Sequence, residues 1–416
     1  PACELCRWRE HCAEEWDRTD SLCLLPGIRK SQRHKLEAAG AATMTDLAQH
    51  TLKVPKLADE TLAKLRSQAR LRSARRAGGA PAFELRPLQP DKSVSRLPKP
   101  ARGDLFFDME GDPLIEGGLE YLFGIYAEAK GAGKFHDFWA HDRTAEREAT
   151  QQVLEFFNAH IRAHPQAHIY HYGQYELTAL KRLASGYGVG EALLDQLLRQ
   201  QRFVDLYRIV QQGLITSEGG ASLKDLEVFY EYERPKEVAT AGDSIVAYEQ
   251  WRDSQDDAVL ESIRAYNEAD CRSTKGLRDW LAQTVRPTHL SWWKPNKFAS
   301  DESKRDDDTL RAEQEREQLR RQLITTTGRL AGEPAELLFE LAWFHEREDK
   351  PKWWAMFDRA ERDTEELIDD PDSLGGLVAI GVARPEKKSQ VRTYRYLQQE
   401  TKLRETSKVR MKDGLK

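Results

Sequence analysis

Apolar positions along this chain follow two periods, and the most telling run is Leu105–Pro113, LFFDMEGDP. Apolar residues lead into Asp108, and Glu110 follows two positions later. Successive side chains of a strand alternate faces, so both carboxylates project to one side. His168–Tyr172 alternates in the same way and is rich in β-formers. GLEYLFGIYAEAKGAGKFHDFWAHD predicts a hairpin around GAGK. Elsewhere the period is helical. Arg143–His160 reads as an amphipathic helix, and Glu176 opens another whose Leu177, Leu180 and Leu183 share a face. In ESIRAYNEADCRSTKGLRDWL, the side chains of Ile263, Tyr266, Asp270 and Leu277 fall near one side, with Tyr266 and Asp270 neighbours at i, i+4. Strands alternating with helices predict an α/β sheet covered by helices.

The acids in this pattern suggest chemistry. Two carboxylates side by side at the end of a buried strand repel each other, and divalent cations settle them. An acid on the core-facing stripe of a helix, as at Asp270, is costly unless paired or metal-bound. A two-metal site is a standard means of cutting phosphodiester bonds. GAGK is not a nucleotide loop, because Lys134 is followed by Phe135 and the motif's first glycine is missing. No Walker A sequence occurs in the chain, so no ATPase activity is expected.

The opening residues carry a second signal. Cys3, Cys6 and Cys12 stand close together in a chain with only five cysteines, which points to ligation of a metal or cluster rather than core filling. A disulfide framework does not suit a large charged chain of intracellular type. Cys23 could complete a zinc site (Zn²⁺) or could simply pack, and Cys271 reads as packing. Next, Pro26-Gly27 predicts a tight turn, Arg29–Ala39 a helix ended by Gly40, and Thr43 or Thr45 the start of another. This resembles a helix–hairpin–helix, in which the turn at Gly27 and the helix N-terminus offer amides to phosphates, with charge from Arg29 and Lys30. A packing αα-hairpin is the alternative. Arg70, Arg72, Arg75 and Arg76 follow in a basic run, readable as a phosphate track or a solvated face.

With 416 residues there is room for two or three domains. A content of 32% charged and 39% hydrophobic residues suits a soluble, cytoplasmic protein, and no apolar run approaches membrane-spanning length. A net charge of −5 is compatible with nucleic acid, since binding depends on local patches. Composition divides the chain into a cysteine-bearing segment (1–22), a helical region (23–76), a Gly/Pro-rich linker (77–102), the α/β domain (103–287) and a helical and β accessory region (288–416). In the last, a charged helix runs through Gln322 and a further helix holds Leu337, Phe339, Leu341, Phe344 and His345. Trp353 and Trp354 read as core, Thr364–Asp372 as an acidic surface loop, and Val391–Leu397 as a strand.

Taken in order, the acidic motifs resemble the DEDD family of 3′–5′ exonucleases, whose fold is ribonuclease-H-like. Its D-x-E motif is matched by Asp108 and Glu110, its acid after a strand by Glu176, and its Tyr-x-x-x-Asp motif by Tyr266 and Asp270. GLEYLFGIY, FWAHDR, YHYGQYELTALKRL, VDLYRIV, SLKDLE and YNEADCRST look most like the ribonuclease-H-like domain found beside RecB-type nuclease modules and ahead of helicases in bacterial proteins. The resemblance implies a mixed sheet with flanking helices. It implies two Mg²⁺ or Mn²⁺ ions held by Asp108, Glu110, Glu176 and Asp270, with Tyr266 orienting the attacking water. The implied activity is 3′–5′ hydrolysis of DNA, single strands in particular, within a parent chain carrying a RecB-type nuclease and a helicase. The cysteine triplet resembles the C-terminal ligands of RecB-type nucleases, whose fourth cysteine lies far upstream and which hold a [4Fe–4S] cluster. On that reading the chain is a fragment lacking the upstream nuclease and the downstream helicase. One departure stands out, because most DEDD enzymes carry Asp where this chain has Glu176. Asp205 is a nearby alternative acid, or an N-cap. The competing expectation is a catalytically weak or inactive adaptor that binds nucleic acid through its helical region.

Overall fold

The computed structural model describes residues 6–49, 51, 53–128, 133–234 and 241–295, and in the C-terminal part 314–315, 317–319, 321–322, 333–342, 344–362, 364–387, 389–404, 407, 409 and 411. The chain divides into two units, residues 1–303 and 304–416.

The first unit opens with helices α1 (Arg9–Arg18), α2 (Lys30–Ala38), α3 (Met44–Gln49) and α4 (Asp59–Arg76). Gly40 ends α2 with φ +90°, a backbone state that costs glycine little. Its N–H bonds Glu37 O at 3.1 Å, while Ala41 N bonds Leu36 O at 3.0 Å. Thr43 then starts α3 reciprocally with Asp46: each backbone N–H donates to the other's side chain, at 2.9 and 3.0 Å. Leu22, Leu36, Met44, Leu47, Leu62 and Leu65 pack as this region's own core.

The segment expected to be a linker is packed instead. Strand β1 (Phe83–Leu85) lies within it and pairs antiparallel with β7 (Leu214–Thr216). Val94 and Leu97 are wholly buried in the core beneath the main sheet. Glycine and proline marked a lack of regular structure there, not a lack of burial.

The main sheet is built from β2 (Leu105–Asp112), β3 (Leu119–Ala127), β4 (Lys134–Trp139), β5 (Ile169–His171) and β6 (Phe203–Asp205). Their spatial order is β4-β3-β2-β5-β6; β2, β3 and β4 run antiparallel, while β5 and β6 run parallel to β2. Helix α5 (Arg143–Ala163) joins β4 to β5, with α6 (Tyr175–Tyr187) and α7 (Glu191–Arg199) between β5 and β6. After β6 come α8 (Leu206–Gly213), α9 (Leu223–Leu226), α10 (Ala241–Ser254) and the long α11 (Asp257–Trp280). Alternation along central β2 decides which helix each residue meets. Phe107 points to α5, its ring 5.2 Å from Phe157. Phe106 points the other way, against Arg278 of α11. Asp108 and Glu110 share the parity of Phe106 and therefore face α11. This is the ribonuclease-H-like mixed sheet with flanking helices.

The second unit contains α12 (Glu333–Ala342), α13 (Phe344–Glu361), α14 (Thr364–Asp369) and a hairpin of β8 (Val378–Glu386) with β9 (Ser389–Arg395). Two expectations are corrected here. The acidic stretch read as a loop forms α14, and the nearly buried Asp370 after it is neutralised by Arg359 and Arg362 at 2.7 and 2.8 Å. Trp353 is 44% exposed, stacked on Phe357 along one helix rather than filling a core. The expected charged helix through Gln322 falls largely outside the described residues. Among the described residues, no helix is long and apolar enough to cross a membrane.

Candidate active site

Strand β2 and helix α11 build the site. Ligand oxygens of Asp108, Glu110 and Asp270 all lie within 4.8 Å of one another. A bulge after Glu110 shifts the register with β3. Opposite Asp108 stands Gly124, and any Cβ there would overlap Oδ1 of Asn267 and lie 2.9 Å from Phe135. The missing side chain leaves room for Asn267, whose amide donates to Asp108 Oδ2 at 2.7 Å. Ser244 of α10 donates to Glu110 Oε2 at 2.8 Å. Arg234 Nη2 donates to Asp270 Oδ1 at 2.5 Å. Tyr266, one helical turn before Asp270, lies near enough for its hydroxyl to oppose the rise of that carboxyl.

Few cations face these acids, and their protons are correspondingly hard to remove. Burial first, then the charges of Asp270, Glu110 and Glu176, hold the Asp108 carboxyl well above its usual range. Burial pushes Glu110 up to about 8, against the Ser244 and Asn267 hydrogen bonds and the Lys224 charge. Burial also raises Asp270, although Arg234 opposes it. A divalent cation would relieve all three.

Glu176, at the start of α6, is 4% exposed and faces His171 at 3.6 Å rather than joining the three-acid group. Its Oε2 is buried without a hydrogen bond, as is Oδ1 of Asn267. Burial lowers the His171 imidazole, but the Glu176 and Asp205 carboxylates outweigh it and leave His171 raised. Asp205 is the N-cap of α8: its carboxylate accepts from Gly173 N at 3.0 Å and Arg208 N at 3.3 Å.

The expected nucleic-acid contacts lie elsewhere. Gly27 has φ +72° in its turn, Arg29 precedes α2, and Lys30 is exposed on it. The basic run on α4 is tied to acids: Arg70 to Glu84, Arg75 to Glu218 at 3.0 Å, and Arg76 to Asp17 at 2.9 Å. Burial lowers the Arg72 guanidinium. Cys6 is exposed and Cys12 half-buried, both unbridged, while Cys3 lies outside the described residues. Cys23 accepts from Arg33 at 2.9 Å, and Cys271 is packed against Gly124 O.

Sequence reasoning missed Asn267, Ser244, Gly124 and Arg234. Asn267 had a signal, since it sits three residues before Asp270 and shares its helix face. The others are brought in by tertiary folding. Gly124→Ala is expected to evict Asn267 from Asp108 and lower turnover about 100-fold, the cost of a displacement near 1 Å. Steady-state kinetics against a melting curve would check it.

Residues 105–282 match a family model, RNase_H_2, described as RNase_H superfamily. No curated protein and no solved structure matches the chain.

Proposed function

We propose that this chain is a metal-dependent 3′–5′ exonuclease module acting on DNA, single strands in particular, within a larger nuclease–helicase. One observation carries the reading: Asp108, Glu110 and Asp270, drawn from a strand and a distant helix, converge within 4.8 Å inside a ribonuclease-H-like domain. Their raised carboxyls, and the buried oxygens of Glu176 and Asn267 that accept no hydrogen bond among the described residues, fit a pair of hard divalent cations such as Mg²⁺ or Mn²⁺. Asp108, Glu110 and Asp270 would hold them, with Glu176 completing the set by turning from His171. Bound ions would supply a nucleophilic hydroxide and stabilise the leaving oxygen. Asn267 and Ser244 fix the rotamers of Asp108 and Glu110. Tyr266, one helical turn from Asp270, would orient the attacking water.

The test uses single strands labelled at either end, with Mn²⁺. Wild type should shorten them from the 3′ end, and Asp108→Asn should not. A wild type no faster than Asp108→Asn supports the adaptor reading, which the placement of Glu176 outside the three-acid group favours.

The accessible Cys6 and Cys12 suit an external ligand better than a core, and with Cys3 they fit part of a [4Fe–4S] or zinc site. Anaerobically purified protein containing the upstream ligand is expected to absorb in the visible if the cluster is iron–sulfur. A colourless protein with stoichiometric zinc would refute that choice.

A further inference from the structure

Resting on the hydrolytic reading above, we propose that Arg234 and Lys224 form a phosphate-holding lip, Arg234 on the scissile phosphate and Lys224 on its neighbour.

Arg234 is held rigidly. Its Nε donates to Glu227 Oε1 and Oε2 at 2.9 and 3.0 Å, and Nη2 to Glu227 Oε1 at 2.7 Å. Glu227 is itself fixed by Ser273 Oγ at 2.6 Å, from the helix that carries Asp270. The Arg234 side chain is 13% exposed, and its Nη1 is buried without a hydrogen-bond partner among the described residues. A planar donor clamped on one edge and left with a partnerless nitrogen suits an oxyanion arriving beside Asp270. Lys224 is exposed on α9, with Nζ 5.1 Å from the centre of the Tyr266 ring; the Arg234 guanidinium lies 5.9 Å from the same ring. Both cations thus approach the ring of the buried Tyr266, one helical turn from Asp270, and both come from the 222–234 segment rather than from the acids' own elements.

This placement matches the reaction. A water oxygen bonds to phosphorus while the P–O3′ bond breaks. The water's proton leaves to solvent, and O3′ takes one from solvent. Negative charge concentrates meanwhile on the non-bridging oxygens, where a fixed guanidinium acts most strongly.

Arg234→Gln is expected to lower kcat about 100-fold. Mn²⁺, titrated by electron paramagnetic resonance, should bind that variant at least as tightly as wild type, because a like charge has gone. Arg234→Lys should recover part of the rate. Lys224→Ala should raise KM more than it lowers kcat and reduce the salt slope of strand binding by about one. Wild-type turnover in Arg234→Gln overturns the assignment. So does weakened Mn²⁺ binding, which would make Arg234 a prop for Asp270 alone. If wild type is no faster than Asp108→Asn, hydrolysis fails as a reading but the lip can still be judged. Anisotropy of a labelled strand with Ca²⁺ should then show weaker binding by the Lys224→Ala/Arg234→Gln double variant, and equal binding sinks the lip.

Discussion

Metal-free protein is expected to lose stability as pH rises from about 4.5 to about 8, and Mn²⁺ to protect it far more at the upper end of that range. The window comes from Glu110, whose ordinary value of 4.5 is pushed up to about 8. The folded state therefore keeps a proton that the unfolded chain has released. Stability is fully present below the unfolded value and declines as pH climbs through the folded one. Asp108 and Asp270 are raised as well and act with the same sign. Asp104, raised by burial to about 6, adds to the lower part of the range. A cation competes with these protons, so its stabilisation should be small near the acid end and reach about 2.7 kcal/mol at a hundredfold excess over Kd near the alkaline end. Asp108→Asn removes a like charge from the cluster. At the alkaline end it should melt above wild type without metal, gain little from Mn²⁺ and cut nothing. Thermal melts across pH, with and without Mn²⁺, check all three. A flat wild-type profile indifferent to the ion would remove the metal site.

That cluster was legible for a simple reason. A strand's two-residue period is rigid, so the shared parity of Asp108, Glu110 and Phe106 could be read without the fold. Tyr266 and Asp270 were equally accessible, because one helical turn fixes their relation. What failed depended on long-range pairing. The basic run on α4 reads as a free positive face until Glu84, Glu218 and Asp17 are brought beside it. The acidic α14 reads as a loop until Arg359 and Arg362 meet Asp370. Arg234 lies 36 residues from Asp270, and no local pattern joins them. The departure at Glu176 was visible, but its consequence was not, since His171 is a neighbour only after β5 turns into α6.

Replacing Arg278 by Met is expected to cost about 3–5 kcal/mol of stability, the penalty for stranding a buried charge. Arg278 and Asp104 are both essentially solvent-free, at 1% and 0% side-chain exposure. Its guanidinium bonds Asp104, Glu128 Oε2 at 2.7 Å and Asp279 Oδ1 at 2.7 Å, sandwiched near the rings of Phe106 and Tyr170. Asp104 also accepts from Ala101 N and His168 N, both at 2.9 Å. One ion pair thus fastens α11 to the entries of β2 and β5, the elements that position Asp270, Asp108 and Glu176. Met fills much of the space but leaves Asp104 without its cation. Removing the charge as well, in Asp104→Asn/Arg278→Met, should restore part of the loss, because no buried charge is then stranded and the amide oxygen still accepts from one of the two backbone donors, which bond different oxygens of Asp104. Urea denaturation of the four proteins in this cycle measures the coupling. Losses that simply add would mean that α11 is held by its apolar face alone, and that Asp270 owes its placement to residues such as Ile263, Leu277 and Trp280 rather than to this charge.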